Sequence, residues 1–156
     1  MQRVPITKEG YERLKAELQR LQREERPANI KAIEEARAHG DISENAEFEA
    51  AKDKQGMIEG RINDLYEKIG HSEIIEPSNN DDGRAVFGCT VVMEELGTGE
   101  TVTYKLVGPY EADVSAGTIS VTSPLGKALI GKEEGAEVRV QTPGGVRNFE
   151  ITEVRG

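Results

Sequence analysis

Between Phe48 and Ile69 the chain sets Phe48, Ala51, Gln55, Ile58, Ile62, Leu65 and Ile69 at strictly alternating spacings of three and four. A strand cannot use this pattern, because its side chains alternate with a period of two, whereas a helix lines up all seven along one seam. A seam of three heptads needs a second helix to cover it, and the chain supplies one. Thr7 is a good N-cap, and Tyr11, Leu14, Leu18 and Leu21 follow at the same spacings. Helix one therefore starts near Lys8. Its register slips around Pro27 and resumes with Ile30 and Ile33, which predicts a kink or local loosening rather than an end. Gly40 stops it. Two helices of about 30 residues, at 1.5 Å per residue, make an antiparallel coiled-coil hairpin about 45 Å long. The polar Gln55 within the seam is expected to fix register at some cost in stability.

Read backwards from Phe48, the same seam lands on Glu44 and Asp41, immediately after Gly40. Two carboxylates thus sit at the tip, where the partner helix has run out. One explanation is local: Asp is a preferred N-cap, Glu three residues later completes a capping box, and both favour the positive end of the helix dipole. The other is chemical. Two carboxylates are too few to hold Mg²⁺ alone, since that ion wants six oxygens, but they can complete a metal site whose other ligands belong to a partner. There they would position a second metal and a water for attack on a phosphodiester. Arg37 precedes the tip, and Lys52 and Lys54 follow it. They read either as a solvated helix face or as a small cationic patch guiding a phosphate backbone toward the acids.

Charge limits the possible partners. Against 20 Lys and Arg stand 29 Asp and Glu, a net charge of -9. Binding nucleic acid by a broad phosphate-neutralising surface requires clustered cations, so any such contact must be local or delivered by a partner. No apolar run approaches the roughly 20 residues of a membrane span, and the N-terminus lacks the pattern of a signal peptide, so a cytoplasmic location is expected. The single cysteine, Cys89, reads as a small buried residue of a strand. His39 and His71 are too isolated to share a metal.

Glu76-Pro-Ser-Asn-Asn-Asp-Asp-Gly83 is rich in turn formers, and after it the period changes. Stretches 86–93, 101–107, 118–121, 137–142 and 148–154 are rich in β-branched residues and bounded by turns, which predicts a small antiparallel sheet. Within it, Ser123-Pro-Leu-Gly-Lys-Ala-Leu-Ile130-Gly reads as a short helix opened by a Ser cap with Pro first and closed by Gly131. An exposed Ser-Pro-Leu turn is either that cap and nothing more or a rigid apolar docking knob. The fold class is α+β: a hairpin over 1–76 with its tip near 40–45, a linker over 77–83, and a globular domain over 84–156.

These segments resemble the bacterial Gre transcript cleavage factors over essentially the whole chain. The matching stretches include Val4-Pro-Ile-Thr, the tip from Glu35 to Phe48, Gln55-Gly-Met-Ile-Glu-Gly-Arg-Ile, Phe87-Gly, Ile119 to Lys132, and Thr142-Pro-Gly-Gly. The resemblance implies a C-terminal domain similar to FK506-binding proteins that docks on the rim of RNA polymerase's secondary channel while the coiled coil enters it. Carried over by position, Asp41 and Glu44 would help bind a second Mg²⁺ and orient its attacking water. Arg37 and Lys52 would steer the nascent RNA 3′ segment, and Ser123 and Pro124 would belong to the docking surface. The reaction implied is cleavage of the transcript in a backtracked complex by the polymerase itself, with this chain, as a monomer, lending ligands and not acting as an enzyme alone. Phe48 stands where many members have Tyr, and Lys52 where familiar members have Arg, which keeps the charge but loses the planar fork.

Three other classes compete. A channel-binding inhibitor similar to the anti-cleavage Gre homologues would dock in the same place, but the activating arrangement of Asp41 and Glu44 argues against it. A prolyl isomerase is suggested only by fold, and Phe87, Tyr104, Tyr110 and Phe149 are thin material for an apolar proline pocket. A plain coiled-coil assembly protein would form concentration-dependent oligomers and bind no polymerase.

Overall fold

The seam does become one long helix. The computed structural model describes residues 3–39, 45–76 and 83–156, which group into two compact units: Tyr11–His71, and Met1–Gly10 with Ser72–Gly156. The helical unit is thus shorter at both ends than a hairpin over 1–76. Residues 77–82 of the expected linker lie outside the described residues.

In the helical unit α1 (Lys8–Arg20) passes through a π-helical turn (Leu21–Glu25) into α2 (Arg26–Ala38), and α3 (Ala46–His71) returns along them. Ala51, Ile58, Ile62 and Leu65 of the α3 seam are buried, and Phe48, Gln55 and Ile69 are half-buried. Leu14, Leu21, Ile33 and Ala36 face them from the first half of the hairpin.

The register slip in that first half has a defined cause. The Arg26 amide donates to the Leu21 carbonyl, an i to i+5 bond that winds one extra residue into the helix. Buried positions therefore run Leu14, Leu21, Asn29, Ile33 and Ala36, with the seam displaced by one residue beyond the turn. Ile30, expected on the seam, is 45% exposed, and its place is taken by Asn29, 4% exposed. The Asn29 amide escapes the penalty of an unpaired buried donor by giving a hydrogen bond to the Ala51 carbonyl on α3, at 3.0 Å. Pro27 sits in the first turn of α2 without ending the helix.

Two bidentate ion pairs cross the hairpin. Arg61 grips Glu17 through Nε and Nη2, both at 2.7 Å, and Arg26 grips Glu59 at 2.8 and 2.7 Å. Arg61 also reaches Asp64 at 2.8 Å. The Arg61 hydrogen bonds hold the Glu17 carboxyl below its ordinary pKa, against a smaller opposing effect of burial.

In the second unit, two strands appear that spacing did not announce. β1 (Val4–Ile6) and β2 (Ser72–Ile74) pair in parallel, bringing residues from either side of the helical unit together. Thr7 caps α1 by accepting from the Gly10 amide at 3.0 Å, and its own hydroxyl and amide donate to the Glu111 carboxylate. Glu111 also accepts from the Gly108 amide at 2.8 Å. Contact is so close that a Cβ at Gly108 would lie 1.9 Å from the Pro5 carbonyl oxygen.

The same unit holds a five-stranded sheet built from β3 (Thr90–Glu95), β4 (Thr101–Val107), β5 (Thr118–Ser120), β6 (Glu137–Thr142) and β7 (Gly145–Arg155), in the order β5-β4-β3-β7-β6. The expectation of a wholly antiparallel sheet needs correction, because β5 pairs in parallel with β4. The segment between them carries a single-turn 3₁₀ helix (Val114–Ala116) and is long enough for a crossover, which a tight hairpin is not. The first expected strand, 86–93, also starts later: Phe87 and Gly88 form a turn with Gly88 at φ 90°, and Cys89 is buried just before β3. Val91, Met93, Leu106, Phe149 and Ile151 form the core, closed by Leu129 of α4 (Pro124–Leu129).

Candidate functional site

Residues on either side of the tip are described, while Gly40, Asp41, Ile42, Ser43 and Glu44 lie outside the described residues. α2 ends at Ala38, with the His39 amide turning back to the Ala36 carbonyl at 3.2 Å. Asn45 opens α3: its side-chain oxygen accepts from the Phe48 amide at 3.1 Å, and its side-chain nitrogen donates to the Ala36 carbonyl at 2.7 Å. One residue therefore satisfies an orphan donor of α3 and adds a second hydrogen bond to a carbonyl in the last turn of α2, which also accepts from the His39 amide. Among the described residues Asn45 thus provides the side-chain cap at the start of α3, the role the spacing had offered to Asp41.

Arg37 lies in the last turn of α2, where a cation complements the helix dipole, and its guanidinium stands 6.0 Å from the centroid of the Phe48 ring. Lys52 is one turn beyond Phe48 on the same face of α3 and donates to Gln55 at 2.9 Å. Among the described residues neither cation is paired with a carboxylate, unlike Arg26 and Arg61. The structure thus brings Arg37 and Phe48 together and sets Lys52 one turn away. Lys54 is exposed.

Ser123 caps α4, accepting from the Gly126 amide at 3.1 Å and donating to the Ser120 carbonyl at 2.6 Å. Gly126 is required there, since a Cβ would meet that same carbonyl oxygen at 2.0 Å. The cap holds Pro124 exposed at the rim of an apolar groove of about 390 Å³ whose lining includes Tyr104, Val114, Leu125, Val140 and Pro143. Sequence reading found the cap and the Pro. It did not find that Pro143, of the Thr142-Pro-Gly-Gly turn, comes to the same groove.

The family model described as "Transcription elongation factor, N-terminal" matches residues 4–74, and that described as "Transcription elongation factor, GreA/GreB, C-term" matches residues 80–156. A transcription elongation factor GreA from Syntrophobacter fumaroxidans (strain DSM 10017 / MPOB) is 74% identical over 155 residues, 99% of each chain. This chain belongs to the GreA/GreB family of transcription elongation factors. A GreA from Neisseria meningitidis serogroup A / serotype 4A (strain DSM 15465 / Z2491) is 55% identical over 156 residues, again 99% of each chain. Among solved structures, GreA factor homolog 1 (Gfh1) of Thermus thermophilus is 34% identical, with a TM-score of 0.44, over 99% of this chain and 100% of that one.

Family membership bears out the resemblance read from the tip and the Ser-Pro-Leu segment. What sequence reasoning missed within this GreA/GreB chain is Asn45. Its signal was present, because Asn is a preferred N-cap just before an apolar-periodic run, but Asp41 offered the same cap four residues earlier. Among the described residues no helix is long and apolar enough to cross a membrane.

Proposed function

We propose that this chain binds RNA polymerase through its secondary channel and stimulates the polymerase's own cleavage of the RNA 3′ segment in backtracked complexes, so that elongation resumes. The observation that carries this reading is the tip: α2 and α3 are stapled by Asn45 on either side of the segment holding Asp41 and Glu44, and both flanking cations are without a carboxylate among the described residues.

Asp41 and Glu44 are the carboxylates we assign to a second Mg²⁺ shared with the polymerase. Two acids fall short of the six oxygens that Mg²⁺ wants, so the donor set fits a shared site and not a self-contained one. When bound, the metal supplies Lewis acidity and a water of lowered pKa. Asp41 and Glu44 would hold that metal and orient its water, and Arg37 and Lys52 would attract the phosphates of the extruded RNA. The polymerase is the nuclease, and this chain is its ligand donor.

Ser123 and Pro124 form the docking surface, supported by the apolar groove beside them, which gives a partner side chain somewhere to bury. We read the sheet with α4 across it as an FK506-binding type of fold, supported by the single short helix packed on one face of five strands. The few cations at the tip fit GreA, not GreB, and with them a preference for short backtracked segments. A cytoplasmic, monomeric factor fits this role.

The test is RNA cleavage in a purified backtracked bacterial complex, comparing wild type with Asp41→Asn/Glu44→Gln, with polymerase binding measured separately. Wild type should stimulate cleavage, and the double variant should bind without stimulating it. Wild type that binds and suppresses cleavage would make the chain a channel inhibitor.

A further inference from the structure

Arg37 is held differently from Arg26 and Arg61. Arg26 and Arg61 are fixed by bidentate carboxylates, each of which takes two of the guanidinium's N–H donors. Arg37 is held instead by the face of an aromatic ring, 6.0 Å from the Phe48 centroid. A cation–π contact draws on the charge of the guanidinium and uses none of its N–H donors. Among the described residues no carboxylate competes for those donors.

The ring is itself fixed relative to the Arg37 backbone. Asn45 accepts from the Phe48 amide at 3.1 Å and donates to the carbonyl of Ala36, the residue before Arg37, at 2.7 Å. Backbone, cap, ring and guanidinium thus form a closed circuit across the tip. Phe48 is half-buried and Arg37 exposed, so the aromatic end is anchored and the cationic end faces solvent.

We propose that Phe48 is a positioning residue: it holds the Arg37 guanidinium so that its N–H fork is presented to an RNA phosphate. This rests on the function proposed above. The aromatic face alone is required, so a hydroxyl at this position is dispensable and Phe serves as well as Tyr.

The test compares wild type, Phe48→Leu, Phe48→Tyr, Arg37→Ala and Arg37→Ala/Phe48→Leu in the backtracked complex over a range of factor concentrations, with helix content checked by circular dichroism. A cation–π contact at an exposed site predicts about a two- to fivefold lower maximal cleavage rate for Phe48→Leu. Polymerase affinity should stay unchanged, and Phe48→Tyr should keep the full rate. In the Arg37→Ala background, Phe48→Leu should have no further effect, because its partner is gone. Effects that multiply overturn this proposal alone, while wild type that fails to stimulate cleavage overturns the functional reading and this proposal with it. A readout on the free protein keeps the geometry separate: the Arg37 side-chain protons should show a ring-current shift by NMR that disappears in Phe48→Leu. No such shift in the wild type overturns the proposal whatever the cleavage result.

Discussion

Asn45 and Ala36 are joined by a 2.7 Å hydrogen bond from the Asn45 side chain to the Ala36 carbonyl, and the same side chain caps α3 through Phe48. The two helices are therefore tied between the last turn of α2 and the first turn of α3.

Asn45→Ala removes both bonds. It should destabilise the helical unit by about 1–2 kcal/mol, the usual worth of an N-cap together with a side chain to backbone bond. Hydrogen exchange at the Phe48 amide should accelerate more than exchange at Ile58 or Ile62. Equal acceleration along α3 would mean that Asn45 acts on the whole hairpin and not on its tip.

Acid should weaken the hairpin through Glu17. Its carboxyl titrates below the ordinary value because Arg61 donates to it in the folded state. A depressed folded pKa adds stability that is fully present above the unfolded value and lost as the pH falls through the folded one. Thermal unfolding should therefore show a loss beginning near the ordinary glutamate pKa, about 4.3, and continuing below it. Glu17→Gln should flatten part of that slope.

Glycines divide by what surrounds them. Gly56 and Gly60 lie inside α3 with open space where a methyl group would go, so Gly60→Ala should raise stability by roughly 0.5–1 kcal/mol. Gly108→Ala should instead destabilise, because the new Cβ must displace the Pro5 backbone. Denaturant midpoints of the two variants moving in the same direction would contradict this division.

Pro124→Asp tests the docking surface. Pro124 is exposed beside the groove, so the substitution should leave stability within about 0.5 kcal/mol of wild type, as surface changes usually do. Polymerase binding should fall at least tenfold, because a charge would face an apolar surface. Unchanged affinity in a direct binding assay removes Pro124 from the interface.

Much of this was legible in the sequence where the physics is local and periodic. The α3 seam, the Ser123 cap and the spans of β4 and β6 follow from spacing and turn chemistry alone. The displaced seam beyond Leu21 was visible only as a slip, because an inserted residue and a kink leave the same trace in a hydrophobic pattern. β1 and β2 have three residues each, too short for any period, and their pairing depends on residues nearly 70 positions apart. Glu111 reaches Thr7 across 104 positions, and nothing near either residue announces it. At the tip, spacing pointed to Asp41 as the cap, and Asn45, which accepts from the Phe48 amide, gave no comparable periodic signal.

The π turn at Leu21–Glu25 also sets which length changes the hairpin can tolerate. Deleting one residue within that turn would return the helix to ordinary winding and space Leu21, Asn29 and Ile33 as a regular heptad, with Arg37 still facing Phe48. The same deletion at Ala32 has no slack to draw on and would swing every later residue of α2 by about 100°. A hairpin that must present Arg37 on one side of its tip thus has slack, among the described residues of its first helical half, at the π turn, more than ten residues before Arg37.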